Sequence, residues 1–117
     1  GLTACTLAQK VRHLGVDHDR AAVATCVCGE SAGQMARGAA TLFGADRALA
    51  KTGYAEPSVD QGVKVAYARW ALAHRQGEKW HVQSSRVDCP DATRVQVQAQ
   101  VTVAVITGLI EYLRDYR

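Results

Sequence analysis

The chain has 117 residues, of which 48% are hydrophobic and 21% are charged, and its formal net charge is +3. This length supports one domain, residues 1–117, with one hydrophobic core, and the composition excludes a disordered tail. The 14 lysine and arginine residues are scattered along the chain, which argues against a nucleic-acid-binding surface. The longest apolar stretch, 101–110, falls short of the ~20 residues that a membrane-spanning helix needs.

The N-terminal half is predicted to contain two helices with a strand between them. Leu7, Val11 and Leu14 recur at helical spacing and indicate a short first helix. Residues 21–28 are predicted to form a strand, with a helix as the alternative. The second helix is predicted over 31–52, because a Ser-x-x-Gln capping box opens this segment and a glycine follows it.

The segment 59–76 carries the clearest helical signal of the chain. Ser58 and Gln61 form another capping box directly after a proline, and Gly77 is placed as a C-terminal stop. The predicted apolar face of this helix consists of Val59, Val63, Ala66, Tyr67, Trp70 and Ala73.

Two strands are predicted next, joined by a turn at 89–92. The first covers 79–87. The second begins after Pro90, where apolar and polar residues alternate as far as Val105. Alternation with a period of two is typical of a strand that buries one face. The two strands together are predicted to form an antiparallel hairpin.

The polar side chains of this alternation include Gln96, Gln98 and Gln100, which then form a solvent-facing row on the sheet. A sheet with one polar face can be covered by helices on its other face only. The fold class predicted here is α+β, a two-layer α/β sandwich with helices packed on one face of an antiparallel sheet. A further short helix is predicted after Gly108.

Four cysteines in a short chain predict two disulfide bonds. They are Cys5, Cys26, Cys28 and Cys89. A direct bridge between Cys26 and Cys28 would strain the local geometry, so each is expected to reach a distant partner, in a pairing left open. Free buried thiols and a metal site are the alternatives, although the spacing matches neither zinc ligands nor a redox C-x-x-C motif. Disulfides imply a secreted, extracellular protein.

The segment 29–33 matches the G-x-S-x-G pattern of a hydrolase nucleophile elbow around Ser31. Asp60 and then His74 or His81 follow in the chain order of an α/β-hydrolase. That fold needs a larger parallel sheet than 117 residues supply, and a position as helix N-cap explains the serine. The histidines and carboxylates show no ligand or acid–base spacing. We therefore predict that the protein is not an enzyme and has no catalytic residue, metal or cofactor.

Because no catalytic, metal or cofactor role is predicted, exposed side chains are considered as residues that bind a partner. Tryptophan is enriched at binding hot spots, so Trp80 is a candidate surface anchor, whereas Trp70 is explained as a core residue. The glutamine row of Gln96, Gln98 and Gln100 offers hydrogen bonds to a partner. These four residues are the predicted partner-binding residues, and nucleic acid is not an expected partner.

Several features of layout occur together: Cys5 close to a start at Gly1, the run Cys26-Val27-Cys28-Gly29, Cys89-Pro90, and an end at Arg117 that suits release from a precursor. In these features the chain resembles the virally encoded killer toxins of smut fungi. The resemblance implies a secreted, non-enzymatic toxin or effector that binds a surface or membrane component of the target cell. It also implies a second subunit from the same precursor as a partner.

A second resemblance covers 59–105, where a predicted helix precedes a valine-rich predicted hairpin. This half looks like the soluble part of small pilus-assembly pseudopilins. A structural or assembly protein is therefore the alternative to the toxin or effector.

Overall fold

The computed structural model describes residues 1–4, 6–19 and 27–115. Its elements are, in chain order, helices α1 (Leu7–Leu14) and α2 (Gly29–Phe43), strands β1 (Arg47–Tyr54), β2 (Ala66–Gln76) and β3 (Lys79–Cys89), and helix α3 (Arg94–Asp115). The strands form a three-stranded antiparallel sheet in the order β1-β2-β3. The predicted α+β class, with helices packed on an antiparallel sheet, is confirmed.

The chain divides into two compact units. The first consists of Gly1–Thr52 and Arg69–Ser85, and the second of Gly53–Ala68 and Arg86–Arg117. All three strands contribute residues to both units. The prediction of a single domain stays a prediction. Most of the strand predicted at 21–28 lies outside the described residues.

Helix α1 forms where the sequence predicts it, because its ends are encoded locally. The Thr6 side chain accepts a hydrogen bond from the Gln9 backbone N–H, and the Gln9 side chain accepts one from the Thr6 N–H. This capping box satisfies two otherwise unpaired donors. Gly15 ends the helix with φ 67°, a left-handed conformation that glycine adopts without a Cβ clash.

Helix α2 is shorter than predicted and begins differently. Its N-cap is Cys28, whose Sγ accepts from the Ser31 backbone N–H, so Ser31 itself lies inside the first turn. Gly44 ends the helix at φ 62°, and its N–H reaches the carbonyls of Ala40 and Thr41. The prediction that the helix continues to residue 52 is wrong, because the chain beyond this cap pairs in the sheet as β1.

The helix predicted over 59–76 is wrong. Residues 59–65 form turns closed by a bridge between Ser58 and Val63, and the rest is the central strand β2. Small apolar residues caused the error. Residues 70–74 of β2 are buried at consecutive positions, so both faces of this strand are covered and its sequence reads as a continuous apolar run and not as an alternation. Gly77 is no helix stop. With φ 68° at the first central position of the β2–β3 turn, it meets the requirement of a type II′ hairpin.

The strand predicted after Pro90 is also wrong, since this segment is helix α3. In a sequence whose apolar residues alternate with a period of two, every fourth residue is also apolar. Val97, Val101 and Val105 therefore fall on one face of helix α3, and that face is buried. The short helix predicted after Gly108 is the end of α3. The strand predicted over 79–87 is confirmed as β3, but it pairs with β2 rather than with the following segment.

The core of the first unit consists of small clusters. Leu14, Val16 and Met35 pack together between α1 and α2. Four alanines form the contact between α2 and the sheet: Ala32, Ala36, Ala71 and Ala73. Small side chains let the helix and sheet backbones approach closely. In the second unit the buried apolar residues include Ala66, Ala68, Cys89 and the three valines of α3. Among the described residues no helix has the length and hydropathy of a membrane span.

Candidate functional site

The tight turn at Gly77–Glu78 determines which side chains face each other across β2 and β3. With two residues in the turn, Arg75 lies opposite Trp80 and His74 lies opposite His81. The Arg75 guanidinium carbon is 4.8 Å from the centroid of the Trp80 ring. The Arg75 N–H also donates to the Asp46 carbonyl at 2.8 Å, which pairs this end of β2 with the start of β1.

A second guanidinium reaches the same indole from α2. The Arg37 guanidinium carbon lies 5.5 Å from the Trp80 ring centroid. Trp80 is half-buried and packs against the alanine cluster of α2 and the sheet. Within the described ranges, no carboxylate forms an ion pair with Arg37 or Arg75. Two cations therefore share one aromatic ring, an arrangement that cation–π attraction stabilises.

A pocket of about 510 Å³ opens beside this group, which we call the Trp80 cluster (Arg37, Arg75 and Trp80). Gln34 on its wall accepts a hydrogen bond from the Asp17 N–H at 2.7 Å, which ties the segment after α1 to α2. The lining comes from the end of α1, from α2 and from β3: His13, Leu14, Gly15, Gln34, Arg37, Gly38, Thr41, Leu42 and Trp80.

The opposite face of the hairpin carries His74, which is buried in the sheet. Burial lowers the pKa of His74 below its ordinary value, and the nearby Arg47 guanidinium lowers it further. The Asp46 carboxylate acts in the opposite direction, and His81 adds a smaller lowering effect. The neutral form of the imidazole is therefore favoured, and His74 lies on strand β2 and not in the last turn of the helix predicted over 59–76.

The second unit contains a different arginine–aromatic group. The Arg86 guanidinium carbon is 3.9 Å from the Tyr67 ring centroid, and Tyr54 lies against Tyr67 with centroids 5.6 Å apart. Here Arg86 also forms an ion pair with Asp88, at 2.9 Å between Nε and a carboxylate oxygen. The Arg86 guanidinium thus has a counter-ion, whereas the described ranges provide none for the two guanidinium groups of the Trp80 cluster.

The nucleophile-elbow pattern does not produce a catalytic group around Ser31. The Ser31 hydroxyl is buried in the first turn of α2 and accepts a hydrogen bond from the Cys28 thiol at 3.2 Å. Within the part of the chain that the structure describes, it has no hydrogen bond to a histidine or a carboxylate. Asp60 lies in an exposed turn of the second unit.

Cys28 and Cys89 are free thiols. Cys28 caps α2, whereas Cys89 is almost fully buried at the end of β3, where burial and the adjacent Asp88 raise the pKa of its thiol. Because Cys5 and Cys26 lie outside the described residues, the predicted disulfide pairing stays a prediction. In the ranges 1–4, 6–19 and 27–115, no three His, Cys, Asp or Glu side chains are grouped as a metal site would require.

Of the predicted partner-binding residues, only Trp80 belongs to this site. Gln96, Gln98 and Gln100 are exposed on helix α3 and not in a row on a sheet, because α3 replaces the predicted strand. Gln96 has a local role instead, since its side chain accepts from the Thr93 N–H at 2.9 Å. Sequence reasoning missed Arg37 and Arg75. Pairing across the hairpin could have placed Arg75 beside Trp80, but it requires β2 to be recognised as a strand. Arg37 lies on helix α2, and its local sequence carries no signal that relates it to Trp80.

A family model for the CinA C-terminal domain matches residues 1–113. The chain belongs to this family. Solved structures agree with the match. A competence damage-inducible protein A from Klebsiella pneumoniae has a TM-score of 0.81 and 25% identity, over 94% of this chain and 66% of that one. A CinA superfamily protein from Enterobacter cloacae has a TM-score of 0.84 and 25% identity, over 97% of this chain and 64% of that one.

A third similar structure is the competence/damage-inducible protein CihA from Agrobacterium tumefaciens, with a TM-score of 0.74 and 25% identity over 89% of this chain. The CinA-type chain spans slightly less than two thirds of the length of these relatives. A comparison with curated proteins gave no match.

Membership of the CinA family corrects the functional predictions made from layout. The resemblance to killer toxins of smut fungi is wrong, and so is the pseudopilin alternative. The secretion predicted from the cysteines is wrong as well. So are the toxin or effector activity, the target-cell surface partner and the second subunit from the same precursor, which depended on that resemblance. The physical reason is that cysteine number and an α+β layout are shared by many unrelated domains, whereas fold topology together with a matching sequence is specific to a family.

Proposed function

We propose that this CinA C-terminal domain binds a small anionic ligand at the Trp80 cluster and in the adjoining pocket, and that its described residues bind without catalysing a reaction. The observation that carries the proposal is the convergence of Arg37 and Arg75 on one indole ring, with no carboxylate partner among the residues that the structure describes. An anion beside this ring would be attracted by both guanidinium groups.

The electrostatics favour an anion over a neutral ligand. Both guanidinium carbons lie within 5.5 Å of the Trp80 ring centroid, so an anion beside the ring is attracted by two positive charges at once. A guanidinium presents several N–H donors in a planar fork that matches carboxylate and phosphate oxygens. The Trp80 ring also restricts water on one side, which strengthens charge-assisted hydrogen bonds.

The adjoining pocket supplies the rest of a binding site. Its volume of about 510 Å³ suits a small molecule. Its wall carries polar groups at Gln34 and Thr41 and an imidazole at His13, with Leu42 as an apolar surface. This mixture suits a ligand with one anionic end and a less polar body.

The burial of Ser31, the serine of the G-x-S-x-G pattern, supports a binding role without catalysis. The Ser31 hydroxyl is buried and bonded to Cys28, so it is not presented to a ligand. A nucleophilic serine needs a base within hydrogen-bond reach.

Trp80 fluorescence provides the test. Trp70 is buried in the core and serves as an internal constant, so a saturable change on adding phosphate, pyrophosphate or citrate reports on Trp80. We expect Arg37→Gln and Arg75→Gln each to weaken binding about tenfold, the loss of about one charge-assisted hydrogen bond. The matched control is Arg114→Gln, an exposed arginine of the second unit, which should leave the affinity unchanged.

Two results would contradict the proposal. One is the absence of a saturable response to each of the three anions, and the other is an affinity that neither Arg37→Gln nor Arg75→Gln alters. The non-catalytic part is tested separately with a chromogenic ester. Turnover that Ser31→Ala abolishes would overturn that part and leave the anion-binding part to the fluorescence result.

A further inference from the structure

The pocket beside the Trp80 cluster is lined by the C-terminal ends of two helices. Residues 13–15 come from the end of α1, and residues 41–42 from the last turn of α2. Among the described residues, neither helix contributes its first turn to the lining. Because the C-terminal end of a helix carries a partial negative charge, these two ends favour a cation and not an anion.

The last turn of α1 has carbonyl oxygens without a backbone donor. The N–H groups of Gly15 and Val16 both donate to the Lys10 carbonyl. Within the described ranges the carbonyls of residues 12–14 therefore accept no backbone hydrogen bond, as is usual for the end of a helix. The Leu14 carbonyl lies against Gly38, and both residues line the pocket. This wall of the pocket is rich in acceptors.

The Thr41 hydroxyl adds an acceptor to the same pocket. It donates its hydrogen to the Arg37 carbonyl one turn earlier, at 3.0 Å. A hydroxyl has one hydrogen and two lone pairs, so the Thr41 oxygen can only accept from a ligand. Gln34 is in the opposite state, because its Oε1 accepts from the Asp17 N–H at 2.7 Å and its amide N–H groups remain as donors.

We propose that the ligand of the Trp80 cluster is a zwitterion, a small amino-carboxylate. Its carboxylate lies beside Arg37 and Arg75, and its ammonium group lies toward Thr41 and the end of α1. This inference rests on the proposed anion site and names the chemical class of its ligand. Arg37 and Thr41 are about 6 Å apart along the axis of α2, so the two charges of the ligand are separated by a chain of a few carbon atoms.

A multiply charged phosphate suits these walls less well. Phosphate groups bind preferentially at helix N-termini, where backbone N–H groups point toward them. At this pocket the helix ends are partially negative, so every additional negative charge on the ligand is repelled. An ammonium group presents three donors to the acceptor-rich wall, and Leu42 provides an apolar surface for the carbon chain between the two charges.

A series of matched ligands tests the proposal on the whole chain, with Trp80 fluorescence as the signal. Pentanoate, 5-hydroxypentanoate and 5-aminopentanoate differ only at the end remote from the carboxylate, and the four- and six-carbon series bracket the chain length. We expect the best amino acid to bind about five- to tenfold more tightly than the unsubstituted acid of the same length. The hydroxy acid should lie between them, because it donates a hydrogen bond but carries no charge.

The role of Thr41 is tested with a variant of almost the same size. Thr41→Val removes the acceptor and should reduce the preference for the amino acid to about two- to threefold. Thr102→Val is the matched control, because the Thr102 hydroxyl donates to the Gln98 carbonyl in the same way, at 2.8 Å, on α3 and outside the pocket lining. This control should keep the preference of the native chain.

Equal affinities for the amino, hydroxy and unsubstituted acids at all three lengths would overturn the inference. If Arg37→Gln still weakened the binding of all three, the anion site would stand without the zwitterion. If no carboxylate gave a saturable response, the inference and the anion site would fail together. A preference that Thr41→Val and Thr102→Val reduced equally would also count against the inference, because the ammonium group would then not lie at Thr41.

Discussion

The backbone of Gly38 lies directly against the backbone of Leu14. A Cβ atom built on Gly38 would stand 1.9 Å from the Leu14 carbonyl oxygen. Helix α2 therefore meets the end of α1 without any intervening side chain. This close approach brings His13, Gly15 and Arg37 to one pocket wall, so a single glycine positions part of the candidate site.

Replacing Gly38 by alanine should therefore separate α1 from α2. The obstructing atoms belong to the backbone, which has no side-chain rotamer with which to yield. We expect Gly38→Ala to lower the free energy of unfolding by about 1–3 kcal/mol, measured by urea denaturation. Thr41→Ala, at an exposed position one turn later in α2, is the control and should change it by no more than ~0.5 kcal/mol. Equal stability of the two variants would show that the helices can separate without cost.

His74 should make the protein less stable in mild acid. Burial lowers the pKa of His74 in the folded chain, so the unfolded chain gains a proton that the folded chain does not when the pH falls through 6.5. The contribution to stability is complete above pH 6.5 and is lost as the pH falls toward the folded-state pKa.

The measurement is the melting temperature between about pH 7.5 and pH 5. We expect the native chain to lose more on acidification than His74→Gln, which has no imidazole to protonate. His13→Gln, which removes an exposed imidazole, should keep the pH dependence of the native chain. The assignment to His74 fails if His74→Gln retains the same slope.

The two described cysteines should differ in their reaction with iodoacetamide. Cys89 is buried and its pKa is raised, so little thiolate is present and the reagent has little access. Cys28 is only partly buried at the start of α2. We expect mass spectrometry of the native protein to show labelling of Cys28 well before Cys89.

The same labelling experiment, without reductant, tests the predicted disulfides. Free Cys28 and Cys89 should be alkylated after denaturation alone. Alkylation that requires reduction first would show that these cysteines are bridged in the isolated protein, and peptide mapping would identify whether Cys5 and Cys26 are the partners. Denatured, reduced protein is the control for complete labelling.

Removing the cap of α3 should destabilise the second unit. The Thr93 hydroxyl accepts from the Gln96 N–H at 3.3 Å, and the Gln96 side chain accepts from the Thr93 N–H at 2.9 Å. We expect Thr93→Ala to reduce the free energy of unfolding by about 1 kcal/mol. Thr102→Ala is the control, because the Thr102 hydroxyl bonds only to the Gln98 carbonyl within the helix. A smaller loss for Thr93→Ala than for Thr102→Ala would contradict a capping role.

The elements with local end signals were predictable, and those defined by pairing were not. Thr6 and Gln9 encode the start of α1, and the alternation of Trp80 and Val82 with polar neighbours marks the start of β3. In β2, alanines on both faces imitate a helical face. In α3, regular alternation of valines imitates a strand, although the capping box at Thr93 and Gln96 signalled a helix and was overlooked.

The candidate site was predictable only at Trp80. Its two arginines come from α2 and β2, which lie 38 residues apart at Arg37 and Arg75, and nothing in their local sequence relates them. Layout alone also failed to identify the family, because four cysteines in a small α+β chain carry little information about topology.

By itself, the sequence determined the fold class, the caps and turns that end α1 and β2, and the apolar stripe of valines that any helix at 94–115 must carry. These properties depend on each residue and its near neighbours in the chain. Only the tertiary structure decided that 66–76 is a central strand, that Ser31 is buried, and that Arg37 and Arg75 meet at Trp80. Such outcomes depend on the free energy of packing between distant segments, and local propensity is too weak to determine it.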